Sequence, residues 1–102
     1  MKTLEEIQRQ LSSGQFDFSR HVFKRAVERN ISELEIREAG GGAKRIEEYP
    51  DDKYTPSCLL LGFTGVGRPL HIQVSLADTD LAKIITLYEP CEKEWINYSE
   101  RR

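Results

Sequence analysis

The sequence predicts an α+β domain with two to three N-terminal helices packed on a four-stranded antiparallel meander. Three observations carry this. Apolar residues recur at helical spacing through the N-terminal part of the chain; Gly40, Gly41 and Gly42 break that pattern; and four apolar segments bounded by Pro, Gly and Asp turns follow. Helices first and a strand meander second place helices over one face of a single sheet.

Residues 3–12 form the first predicted helix, with Leu4, Ile7 and Leu11 on one side and Ser12-Ser13-Gly14 as the stop. Phe16 and Phe18 fall in the loop that follows and anchor it to the core. Ser19 is a suitable N-cap for a second helix ending near Arg29, with Val22, Phe23, Ala26 and Val27 as its apolar face. Asn30 terminates it, because asparagine tolerates left-handed backbone geometry. Ser32 and Glu35 make a capping box that opens a third helix.

The first strand is predicted over A-K-R-I-E-E-Y. The second, P-S-C-L-L-L-G-F, is apolar at both parities and therefore central. Gly65 and Gly67 turn the chain into the third, where Leu70, Ile72, Val74 and Leu76 alternate with His71, Gln73 and Ser75. The fourth is A-K-I-I-T-L-Y-E, whose parity puts Ile84, Thr86 and Tyr88 on one face and Ile85 and Leu87 on the other. The C-terminal segment is expected to pack Trp95 and Ile96 onto the body.

The chain has 102 residues, 38% hydrophobic and 31% charged, which fits one globular domain over 1–102. No apolar run approaches the roughly 18–20 residues of a membrane span. The charged start M-K-T-L-E-E-I lacks a signal core, and two cysteines make no disulfide framework. The expectation is a cytoplasmic protein with no membrane partner. The formal net charge of −2 argues against a general nucleic-acid coat. Within that acidic total, Arg20, Lys24, Arg25 and Arg29 stand against Glu28 alone, a local basic stripe suited to a small phosphate site.

His21 and His71 are the only histidines. Histidine exchanges protons near neutral pH. His21 and Arg25 are neighbours four residues apart on one helix face, where the guanidinium favours a neutral imidazole and holds phosphate in two parallel hydrogen bonds. The alternative is a solvated helix face with Glu28 pairing Lys24. His71 shares its parity with Gln73 and Ser75, on the side away from the helices, where Thr86 or Tyr88 of the next strand can join it. Here the alternative is a wet sheet face. Neither histidine suits a core position on this reading. Lys53 and Lys93 are candidate phosphate contacts in charged loops, while Tyr49, Tyr54 and Trp95 read as packing residues. G-F-T-G-V-G lacks the ending of a phosphate loop and joins two strands, so it reads as a hairpin turn. No metal-ligand spacing stands out, leaving only a weak metal reading from His21, His71 and Cys58.

The strings F-S-R-H-V-F-K-R-A-V-E-R-N-I-S, I-E-E-Y-P-D-D, C-L-L-L-G-F, R-P-L-H-I-Q-V and I-I-T-L-Y-E-P together resemble the bacterial family called domain of unknown function 4258, over about residues 16–96. That family is similar in size and layout to RelE-like and motility-quorum-sensing-regulator toxins. The resemblance marks His21, Arg25, Arg29, His71 and Tyr88, and implies a toxin whose partner is a zinc-finger or helix-turn-helix antitoxin. The resulting expectation is an endoribonuclease that needs no cofactor or metal. The 2′-hydroxyl of RNA is the nucleophile, His21 and His71 (or Tyr88) exchange the protons, Arg25 stabilises phosphate charge, and Arg29, Lys24 and Thr86 contact RNA. A non-catalytic protein- or nucleic-acid-binding module is the alternative, and self-association into a homodimer is left open.

Overall fold

In a computed structural model covering Met1–Arg102, local chemistry sets each helix start. Helix α1 spans Leu4–Ser12 and opens on a capping box in which Thr3 accepts from the Glu6 N–H and Glu6 accepts from the Thr3 N–H. Helix α2 spans Arg20–Glu28 behind Ser19, whose hydroxyl accepts the Val22 N–H at 3.2 Å. Helix α3 spans Glu33–Gly41 and opens on the Ser32–Glu35 box. Each cap is worth about 1 kcal/mol. Asn30 takes φ 55° and closes α2. The Ile31 N–H returns to the Ala26 carbonyl and the Asn30 N–H to that of Val27, which defines a Schellman turn.

The sheet has five strands, not four. β1 (Phe16–Asp17), β2 (Lys44–Tyr49), β3 (Ser57–Phe63), β4 (Pro69–Ser75) and β5 (Ala82–Tyr88) lie in the order β1-β5-β4-β3-β2. β2 to β5 form the expected antiparallel meander. β1, expected as loop, pairs parallel to β5 through Phe16 and Asp17, which makes the sheet mixed. Two residues carry too short a pattern to read as a strand. The central strand is β4 and not β3 as expected; β3 is interior, between β4 and the edge strand β2, and buried along nearly its whole length. A second, two-stranded sheet pairs β6 (Trp95–Ile96) with β7 (Glu100–Arg101).

The core lies between the helices and one sheet face, where Ile7, Leu11, Val22, Ala26 and Ile36 meet Leu60, Leu70, Ile72, Val74, Ile84 and Leu87. Glycine sets the approach of α3. Gly40 and Gly41, expected to break the helix, complete it, and Gly40 lets α1 pack closely, since a Cβ there would stand 2.4 Å from the Leu11 Cβ. A Cβ on Gly62 of β3 would stand 2.0 Å from the Ala39 carbonyl oxygen. The turn before β4 closes through the Thr64 N–H to Arg68 carbonyl bond and Gly67 at φ 87°, as a hairpin requires.

One parity expectation is corrected. The β4–β5 register steps from Gln73↔Thr86 to Val74↔Ile84, leaving Ile85 as an unpaired bulge. Ile84 and Leu87 therefore both enter the core, and Thr86 and Tyr88 share the opposite face with Gln73 and His71.

Candidate active site

The face of the sheet away from the helices is built by alternate residues of four strands: Glu47 and Tyr49, Ser57, His71 and Gln73, and Thr86 and Tyr88. His71 and Tyr88 are direct cross-strand partners. Their rings meet edge-on at a centroid distance of 5.2 Å, and the Tyr88 hydroxyl lies 3.2 Å from His71 Nδ1.

His71 was expected on an open surface but is 0% exposed. The segment after β5 folds back over it. Trp95 is buried with its ring 4.4 Å from the imidazole at 90°, and the Tyr98 carbonyl oxygen lies 2.5 Å from Nε2. Ile96, expected to pack with Trp95, is 40% exposed. The carbonyl accepts only, so Nε2 carries the proton and Nδ1 accepts from the Tyr88 hydroxyl. Burial pushes the His71 pKa down, and the Arg101 charge adds to it; the Tyr98 carbonyl and Glu47 oppose this without reversing it. The imidazole is neutral at pH 7. Burial raises the Tyr88 pKa against the pull of Arg101 and Arg29, so the phenol keeps its proton.

Glu47 and Arg101 complete this cluster. Arg101 sits 4.7 Å above the Trp95 ring and donates to both Glu47 oxygens, at 2.9 and 3.2 Å. Burial would raise the Glu47 pKa, but hydrogen bonds from Tyr49 and Arg101 outweigh it and hold the carboxylate below its ordinary value. Tyr49 pays the corresponding shift: burial and its bond to Glu47 push its hydroxyl up to about 12.

The basic stripe approaches from the side. Val22 and Ala26 turn α2 onto the sheet, and Phe23 and Val27 point into an apolar cleft with Phe16, Phe18, Ile31 and Ile36. The opposite flank of α2 carries His21, Arg25 and Arg29 at four-residue steps. Arg29 Nη1 donates to the Leu87 carbonyl at 2.8 Å, beside Tyr88. Arg25 pairs with Glu28 at 2.9 Å, which replaces the expected Lys24–Glu28 pair. His21 and Lys24 are exposed.

The structure therefore pairs His71 with Tyr88, brings Arg29 to the neighbouring Leu87 carbonyl, and puts Thr86 two register positions away on the same face. His21 does not confront His71. Eight residues separate it from Arg29 along the helix, about 12 Å, and both His71 nitrogens have other partners. The side chains of His21, His71 and Cys58 form no metal cluster either, and no group of three His, Cys, Asp or Glu residues comes together elsewhere. Cys58 is buried and Cys91 exposed.

Sequence reading missed Glu47, Tyr98, Arg101 and Arg68, and gave Trp95 as a packing residue without placing it over His71. Arg68 ties the site's frame together, donating to Glu35 at 3.0 Å, Glu89 at 2.7 Å and the carbonyls of Asn30 and Arg29 at 2.7 and 2.9 Å. It fixes the end of α2 from which Arg29 reaches Leu87. The only sequence signal for these residues is the parity of Glu47 with Tyr49; the others act through tertiary approach.

Fold and site together define a small α+β domain whose mixed sheet carries a histidine–tyrosine pair, flanked by arginine and closed under a segment of its own chain. The chain belongs to the family described as Domain of unknown function (DUF4258), whose model matches residues 18–89. The match runs from α2 through β5 and includes His21, Arg25, Arg29, His71 and Tyr88; the covering segment lies beyond it. No curated protein and no solved structure matches the chain. No helix is long and apolar enough to cross a membrane.

Proposed function

We propose that this protein is a toxin-type, metal-independent endoribonuclease whose reactive centre is His71, Tyr88 and Arg29. The observation that carries the reading is the 3.2 Å contact between His71 Nδ1 and the Tyr88 hydroxyl on the face opposite the helices. Neutral His71 keeps an unprotonated Nδ1, which becomes a base once the 2′-hydroxyl takes the place of the Tyr88 hydroxyl there, and protonated Tyr88 can donate. His71 takes the 2′-hydroxyl proton as that oxygen attacks phosphorus, Tyr88 protonates the departing 5′-oxygen, and the product is a 2′,3′-cyclic phosphate. Arg29 offsets the charge that grows on the phosphorane. The role first given to His21 passes to Tyr88. His21, Arg25, Lys24 and Thr86 become contacts along the RNA path.

Substrate reaches His71 only when the 95–102 segment lifts, because Trp95 and Tyr98 cover the imidazole. Expression in a bacterial host tests the reading. Growth arrest with RNA fragmentation, relieved by His71→Ala and by Tyr88→Phe, is the expected result. Harmless expression with intact RNA contradicts it.

One observation favours the second reading, a protein-binding module. Phe23, Val27 and Leu34 are large apolar side chains left exposed on α2 and α3. On the toxin reading this surface is where the antitoxin docks. On the module reading, docking there is the whole function, and substitutions at His71 leave it unchanged.

A further inference from the structure

A cleft of about 510 Å³ opens at the far end of β4, where Ser75 of the His71 face and Val22 and Ile84 of the helix side both line it. Its size falls within the range of small-molecule sites. Ser75 in its wall shares parity with His71 and Gln73, and four residues of strand put it about 13 Å from His71. Val22 of α2 and Ala77, Ile84 and Ile85 supply apolar wall. Lys53 and Lys83 bring positive charge to the rim, and neither lies within ion-pair distance of a carboxylate.

Asp52 also lines the cleft, but its oxygens are engaged internally. It accepts from the Lys53 N–H at 2.8 Å, the Ser57 hydroxyl at 2.7 Å and the Gln73 amide at 3.3 Å. The Ser75 and Thr55 hydroxyls hold each other at 2.9 Å. Tyr54, 85% exposed at the mouth, has the Lys53 ammonium 5.2 Å from its ring centroid. An apolar wall, an exposed aromatic ring and two lysines without carboxylate partners suit a flat ring joined to an anion.

We infer that this cleft is a nucleotide subsite, with the base against Ile84, Ile85 and Tyr54 and the phosphate on Lys53 and Lys83. The inference deepens the ribonuclease reading, since the separation from His71 is about two nucleotide steps of an extended strand. It is tested without cleavage. Adenosine 5′-monophosphate is titrated into the full-length chain and followed by backbone amide resonances. Saturable shifts at Ser19, Thr55, Ser75 and Lys83, weakened about fivefold or more by Lys53→Met or Lys83→Met but not by the control Lys44→Met, support the subsite. Absence of saturable shifts, or equal weakening by Lys44→Met, overturns it whether or not the chain cleaves RNA. Binding that persists in a chain without nuclease activity leaves the subsite standing and removes only the reaction.

Discussion

His71 of β4 and Tyr88 of β5 are opposed across the antiparallel ladder, and the phenol hydroxyl lies 3.2 Å from the imidazole Nδ1. With Nε2–H directed to the Tyr98 carbonyl, the ring has one tautomer and one free lone pair, which the phenol occupies. Tyr88→Phe removes that donor while keeping the ring. The expected result is a folded protein with RNA cleavage lowered about a hundredfold or more, read from initial rates beside an unchanged far-ultraviolet circular dichroism spectrum. Cleavage at the parent rate would take Tyr88 out of the reaction.

The pH dependence of stability follows from the same ring. The folded-state His71 pKa lies below its ordinary 6.5, so the unfolded chain binds the proton more readily. His71 therefore contributes fully above pH 6.5, and its contribution is lost as pH falls from there toward the folded-state value. Urea midpoints at pH 7.5 and pH 5.5 are expected to differ in the parent and to converge in His71→Gln. Glu35 and Glu47 behave as lowered carboxylates, Glu35 chiefly through the Ser32 N–H, and lose their contribution only below their ordinary 4.5. That second decline is expected to survive in the His71 variant.

Arg101 holds the covering segment through Glu47 and the Trp95 ring. As an exposed ion pair it adds about 1 kcal/mol or less to global stability. Arg101→Ala should leave the thermal midpoint within a few degrees of the parent, yet speed amide exchange at Trp95 and Arg102 and the reaction of His71 with diethyl pyrocarbonate. Unchanged exchange and reactivity would show that Trp95 alone keeps the segment closed.

Helix α3 approaches β3 at Gly62, where an added Cβ would overlap the Ala39 carbonyl. Gly62→Ala is expected to cost about 1–3 kcal/mol, seen as a lower urea midpoint, because backbone cannot swing aside as a side chain can. Gly42→Ala, which meets nothing within 4 Å, is the control.

Much of the fold was legible because its signals are local. Ser19, Asn30 and the Ser32–Glu35 box fix helix ends within four residues, and the alternation from Leu70 to Leu76 names the buried face of β4. What escaped was non-local. Phe16–Asp17 becomes a strand only because β5 lies beside it, Ile85 bulges only because of its pairing with β4, and Gly40 sits inside α3 where the helix packs closely on Leu11 of α1. The same division runs through the site. Parity offered Thr86 or Tyr88 as the neighbour of His71, of which the register selects Tyr88, and helical spacing put Arg29 on the stripe of His21 and Arg25. Burial of His71 under Trp95 and Tyr98 depends on a segment distant in sequence, so the ring looked open when it is enclosed.

The central claim is that the His71–Tyr88 pair performs proton transfer on RNA. The most direct measurement is cleavage of a defined RNA by the purified chain in EDTA, with the new ends identified by mass spectrometry. The account predicts 2′,3′-cyclic phosphate and 5′-hydroxyl ends from the parent and from His21→Ala, and none from His71→Ala. No cleavage by either the parent or Arg101→Ala, in which the cover is loosened, or equal cleavage by His71→Ala, would contradict it.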